Sequence, residues 1–404
     1  MILIKRRINS NILLHYFILI YYFIGTLISL TYFNIYHPFS LTALGMLLVY
    51  YFLYFLRSFK INKFILIFII YHIIVGIFYN NSSDFFTIAL YSLIVLVFSL
   101  VAKYDKSAKI IFCISIVIMN YINFIIIVLS PPARTRYKSI GPLNIKVNYF
   151  ESVRFSLLAM TALIAIILIF YFKNNGFKII LIKVSTVLSG LYIIFTAGKV
   201  SVLLGLFITA IVAKFLFFEG ELSKITKVVS TLILLFTFFL GWILPSIISL
   251  TEKWQINYSY LTSRRNIIWI QYLEYFSNLP LHKRLLGSFF IRTYNDVIQQ
   301  GFLHPHNQWI TILVSTGFIG LLLYFILFKR AYNYTIESGD SVGFMFLLAL
   351  NIYATADDYI LLTAGCVNAF LVFYFASQNK HKNSYERTIK IYKDDEISNL
   401  TIDN

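Results

Sequence analysis

Apolar runs of about 17 to 25 residues recur along this 404-residue chain. Each is long enough to cross the ~30 Å hydrocarbon core of a bilayer as one helix. The stretch FCISIVIMNYINFIIIVLS, residues 112–130, carries no charged side chain at all. Composition agrees: 59% of the residues are hydrophobic, 13% are charged, and the mean hydropathy is +0.78. A soluble domain carries about 25% charge, so that class is excluded. The fold class expected is an all-α polytopic membrane protein.

The apolar pattern places spans at 11–33, 39–57, 64–79, 85–102, 110–130, 153–172, 179–197, 200–218, 228–250, 307–328, 342–356 and 360–377. The first follows Lys5, Arg6 and Arg7. It is too long for a signal-peptide core and is followed by no small-residue cleavage site, so it reads as an uncleaved span. Twelve spans make residues 1–378 a single transmembrane domain, with 379–404 as a polar cytoplasmic tail expected to be disordered. Both termini then face one side, and 22 of the 34 Lys and Arg residues fall in loops on that side. By the positive-inside rule that side is the cytoplasm. Cys113 and Cys366 fall at opposite faces and are expected to be free thiols.

The other 12 cations are the informative ones. Outer loops 34–38, 80–84 and 357–359 hold no Lys or Arg. The exceptions gather in three places: Arg134, Arg136, Lys138, Lys146 and Arg154 around loop 131–152; Lys199 in a tight turn; and six more in the long loop 251–306. Cations on this face oppose the insertion bias, and an anionic ligand there is the simplest account. Loops that merely carry charge for solubility are the bland alternative. No nucleic-acid partner, phosphate-binding glycine loop, CxxC pair or acidic metal cluster is read from the chain.

Loop 251–306 is too long for a connector and too apolar for a disordered segment. Within it SRRNIIWIQYLEYFSNLP reads as an interfacial helix that Ser263 caps and Pro280 stops. Arg264 and Arg265 fall at its first turn, where free backbone N–H groups favour anions. A solvated interfacial charge is the competing reading for each. Lys199 joins two apolar helices at an end where it can snorkel, so its cost alone does not demand function.

The segment HPHNQWITILVSTGFIG, residues 304–320, then supplies a spacing: His306-Asn307, nine residues, and Gly317-x-x-Gly320. It resembles the H-[N/S/Q]-x9-GxxG pattern of the O-antigen polymerase and ligase superfamily, membrane enzymes that move lipid-linked glycans. A glycine pair alone commonly just lets helices pack closely; the histidine at its set distance adds the specificity. Arg265 with Trp269 four residues later, the proline-to-glycine phrase NLPLHKRLLGSF, TAGKVSVLLGLF and SIGPLNIKVNYF are similar to further family phrases. The likeness covers roughly residues 130–330. Gly198-Lys199 stands where the family has Ser-Arg, and lysine lacks the bidentate fork that arginine offers phosphate.

The resemblance implies metal-independent, cofactor-free glycosyl transfer from a polyprenyl-pyrophosphate-linked oligosaccharide at the outer membrane face. Cations would hold the pyrophosphate and stabilise its charge as it leaves: Arg265, with Arg264 and Lys199. A base would take the acceptor hydroxyl's proton, and His306 suits the role because its reference pKa is near 6.5. Arg134, Arg136, Asn307 and His304 are candidates for a second substrate or the acceptor. For His304 a structural role, and for Asp357 and Asp358 turn solvation, are the bland readings. The activity expected is polymerisation of O-antigen or capsule repeat units, with a flippase and a chain-length regulator as partners besides membrane lipids. Ligation of the glycan to lipid A-core is the alternative, and a lipid-linked glycan flippase or transporter a third reading.

Overall fold

The structure is a computed structural model, and it describes residues 16–21, 24, 45–46, 49, 63–78, 108–129, 134–140, 143–149, 155–172, 176–197, 199–217, 228–229, 231–237, 239, 265–287 and 307–355. Its helices are α1 (Lys63–Phe78), α2 (Ala108–Leu129), α3 (Phe155–Leu168), α4 (Phe177–Thr196), α5 (Val200–Phe217), α6 (Arg265–Asn278), α7 (Leu281–Leu286), α8 (Gln308–Glu337) and α9 (Ser341–Ala354). A short two-stranded ribbon, β1 (Arg134–Ile140) and β2 (Leu143–Tyr149), joins α2 to α3. Among the described residues three helices are long and apolar enough to cross a membrane: Ile110–Leu129, Phe177–Thr196 and Gln308–Glu337. Lys63–Ile77, Leu158–Tyr171 and Ser341–Ala354 are shorter apolar helices. The chain is thus consistent with a helical membrane protein.

Helices α1, α2, α3, α4, α5, α8 and α9 fall on the apolar runs expected at 64–79, 110–130, 153–172, 179–197, 200–218, 307–328 and 342–356. The expected spans 85–102 and 360–377 and the tail 379–404 lie outside the described residues. Helix α8 runs to Glu337, nine residues beyond the expected boundary at 328. Lys329 and Arg330 end a bilayer-compatible run but do not end a helix, whose ladder needs no apolar side chains. The stop comes at Gly339, whose φ of 65° suits a glycine just past a helix end. Asp340 then starts α9: its Oδ1 accepts the Gly343 N–H at 2.9 Å, and its Oδ2 accepts the Tyr171 hydroxyl at 2.8 Å.

Helix α3 is buried without interruption from Leu158 to Leu168. A helix that is apolar all round belongs inside a bundle, and α3 packs against α2, α4, α5 and α9. Small residues let it do so. Gly190 of α4 lies over Ala162 and Ile166, and a Cβ there would stand 2.8 Å from Ile166 Cγ1. A polar seam fastens α2 to α4. Asn120 Nδ2 donates to Ser189 Oγ at 2.8 Å, and the Tyr121 hydroxyl lies 2.6 Å from Ser185 Oγ and 2.9 Å from Thr186 Oγ1.

Connectivity gives the bundle two distinct ends. The ribbon follows α2; α3 returns, and α4 comes back to the turn that holds Lys199. Strand β2 packs beside α4, so ribbon and turn share an end. At the opposite end Tyr171 meets Asp340, just past α8. Arg330 lies over the Phe64 ring at 4.3 Å, near the start of α1. The part of α8 beyond Gly317 therefore runs from the end that carries Lys199 and the ribbon.

Replacing Gly190 by isoleucine overfills the α3–α4 contact and is expected to cost about 1–3 kcal/mol. Ile166→Ala in the same chain should recover part of that loss. Reversible unfolding in mixed micelles measures both, and additive effects of the two changes would contradict the contact.

Candidate functional site

Asn307 precedes the first turn of α8 with φ −149° and ψ 110°, an extended conformation suited to a cap. Its Oδ1 accepts the backbone N–H of Trp309 at 3.0 Å and of Ile310 at 3.2 Å. Its carbonyl accepts the Thr311 N–H and the Thr311 hydroxyl, each at 3.0 Å. The side chain is fully buried. Nδ2 has no hydrogen-bond partner among the described residues. An enclosed amide left in that state costs about 1–3 kcal/mol.

Ten residues after Asn307, Gly317 takes φ 64° and ψ −173° and divides α8 into two segments. Such φ values suit glycine, because a Cβ would clash with its own backbone. The break is filled by α7. Pro280, with φ −61° and ψ 153°, stands at the start of this six-residue helix, and Gly287, with φ 93°, ends it. A Cβ on Gly287 would come within 2.7 Å of Thr316 Cα, and one on Gly317 within 2.5 Å of the Gly287 nitrogen. Main chain therefore crosses main chain here, with no room for a side chain from either glycine.

A residue from α1 completes the crossing. The Tyr71 hydroxyl donates to the Thr316 carbonyl at 2.5 Å and lies 3.5 Å from the Leu286 carbonyl. Gly320, the second glycine of the motif, lies against the Thr316 side chain: a Cβ there would overlap Thr316 Cβ, and stand 3.2 Å from Tyr71 Cε1. Helix α6 also packs against α8, and its Ile268, Trp269, Tyr272 and Phe276 are buried. Phe276 meets Phe318 edge-on at 5.2 Å between ring centroids.

The structure thus brings together Pro280, Gly287, Gly317 and Gly320, which the sequence offers as separate phrases. Arg265 is the first residue of α6, and its side chain lies outside the described residues. Arg264, His304, His306, Asp357 and Asp358 lie outside them entirely. Lys199 is half-buried in the turn after α4; its N–H reaches the Ile194 carbonyl at 3.4 Å, and its carbonyl accepts the Val202 N–H at 3.1 Å. Loop 131–152 contains the ribbon, in which Arg134 pairs with Tyr149, Arg136 with Val147 and Lys138 with Ile145.

Two participants escaped sequence reasoning. Tyr71 sits in an ordinary apolar run, and its role depends on a contact 245 positions away. Arg284 of α7 is half-buried, with an enclosed Nε that has no hydrogen-bond partner among the described residues. Its only sequence signal was a cation in a loop that opposes the insertion bias. Among the described residues no three His, Cys, Asp or Glu side chains gather as a metal site. No family model and no curated protein matches this chain.

Alanine at Gly287 or Gly317 is expected to lose the folded protein, because each adds a backbone clash to an unfavourable φ. Gly339→Ala is the control. It has positive φ but open space around it, so it should cost only about 1–2 kcal/mol. Tyr71→Phe should cost about 1 kcal/mol through the lost hydrogen bond. Folded yield and thermal unfolding of the purified variants measure this order, and equal costs at Gly317 and Gly339 would contradict the crossing.

Proposed function

We propose that the chain is a glycosyltransferase that polymerises polyprenyl-pyrophosphate-linked repeat units of O-antigen or capsular polysaccharide. In this reading it crosses the bacterial inner membrane twelve times and works at the outer face, with both termini in the cytoplasm. The observation that supports it most is the local form of the His306-Asn307-x9-Gly317-x2-Gly320 motif. Its first part is a capped helical segment, its first glycine is a break, and the Pro280–Gly287 helix fills that break. The motif's spacing therefore has a structural use, which a chance match does not require.

In the reaction the acceptor hydroxyl oxygen attacks the anomeric carbon of the donor sugar. The bond from that carbon to the pyrophosphate oxygen breaks, and polyprenyl pyrophosphate leaves with the electron pair. His306 takes the hydroxyl proton. Arg265, with Arg264 and Lys199, holds the leaving group and stabilises its growing charge. Phe276 of α6 meets Phe318 of α8, so the helix that opens with Arg265 packs against the helix that Asn307 caps. Arg134 and Arg136 would serve the second lipid-linked substrate, which favours polymerisation over ligation.

Cells lacking the protein should display single repeats and lose the long-chain ladder. Repeats that vanish from the surface and accumulate on the lipid carrier would instead indicate ligation to lipid A-core. In purified, equally folded protein His306→Ala should lower turnover about 10² to 10⁴-fold, the usual contribution of a positioned base. His304→Ala should cost much less. Arg265→Lys should stay poor despite keeping its charge, since the planar fork is lost. Near-normal turnover by His306→Ala would remove the base from the mechanism, and near-normal turnover by Arg265→Lys would remove that arginine from the site.

A further inference from the structure

The amide of Asn307 does two things, and only one of them is capping. Its oxygen is committed to the N–H groups of Trp309 and Ile310. Turning the amide over would set its NH2 against two donors, so the orientation is fixed. Nδ2 is thereby directed away from those two amides, fully enclosed and without a hydrogen-bond partner among the described residues. Serine, threonine or aspartate would cap this helix as well, and none of them would enclose an unpaired NH2. Capping therefore does not explain why the side chain is an amide.

The surroundings select the kind of group it would meet. An NH2 donor at the positive end of a helix favours an oxyanion over a cation. Lys199 and the ribbon that contains Arg134, Arg136 and Lys138 lie at the end of the bundle from which the part of α8 beyond Gly317 runs. We infer that Asn307 is a binding residue whose Nδ2 donates to a phosphoryl oxygen of a lipid-linked diphosphate at the start of α8. The identity of the ligand rests on the proposed function; the orientation of the amide does not.

The test uses the full-length protein in detergent micelles, with inorganic pyrophosphate and farnesyl diphosphate as probes and a neutral monosaccharide as control. Asn307→Asp keeps the capping oxygen and replaces the donor by an acceptor. Its unfolding midpoint should match or exceed that of the original protein, while affinity for both diphosphates falls at least tenfold. Asn307→Ser also keeps the cap and should show a smaller loss of affinity; it decides the matter if the aspartate variant does not fold. The monosaccharide should bind no differently to any of the three. Undiminished diphosphate binding by these variants, or none by the original protein, would overturn the inference. Pyrophosphate binding as tightly as farnesyl diphosphate would overturn the lipid-linked ligand. Loss of binding by Asn307→Asp in a protein that turns over no lipid-linked repeat would support the amide's role and remove the proposed function. Full turnover by Asn307→Asp would do the reverse.

Discussion

At Gly287 and Gly317 two stretches of main chain touch with no side chain between them, and the surroundings of helix α8 follow from that contact. A helix broken inside a membrane protein leaves carbonyl groups that need donors, because the hydrocarbon supplies none. The Tyr71 hydroxyl meets that need at Thr316, and it also lies 3.5 Å from Leu286 at the end of α7. One phenol thus ties α1 to both sides of the crossing. Gly320 leaves room for the Thr316 side chain beside it. Helix α7 is only six residues long, too short to be stable by itself. It persists because its ending glycine is seated in the break.

That arrangement separates the two jobs of α8. The segment beyond Gly317 packs in the bundle, with Leu321, Tyr324, Leu327, Phe328 and Ala331 buried. The segment before it is short, buried from Gln308 to Thr316, and capped by Asn307. A group attached at its start has its position set by a cap at one end and a docked helix at the other. Positioning of this kind is what a base and an anion clamp need, since small displacements of reacting groups cost large factors in rate. In the proposed enzyme His306 stands one residue before that cap.

Much of this was legible in the sequence, for physical reasons that differ by element. The helices at 110–130, 179–197 and 200–218 came from apolar length, a signal the bilayer itself imposes. The interfacial helix was bounded by Pro280, and the structure ends α6 at Asn278 just before it. The GxxG spacing was visible, but the partner that fills the break was not. Nothing local in NLPLHKRLLGSF says that its glycine meets Ser315 and Thr316, because that information is tertiary. The ribbon was also missed. LNIKVNY alternates as a strand should, yet its lysine drew attention to charge and away from period. For Asn307 the sequence suggested a polar contact, while the idle half of its amide required coordinates.

The most direct measurement is the reaction itself. The purified full-length protein is reconstituted in liposomes with a polyprenyl-pyrophosphate-linked repeat unit, without added divalent metal. Product chain length and released polyprenyl pyrophosphate are followed together. The account predicts lipid-linked chains that lengthen by whole repeats, with one polyprenyl pyrophosphate released for each new glycosidic bond. Repeats that stay at their original length while the His306→Ala protein behaves the same, or growth that begins only when a divalent ion is supplied, would contradict it.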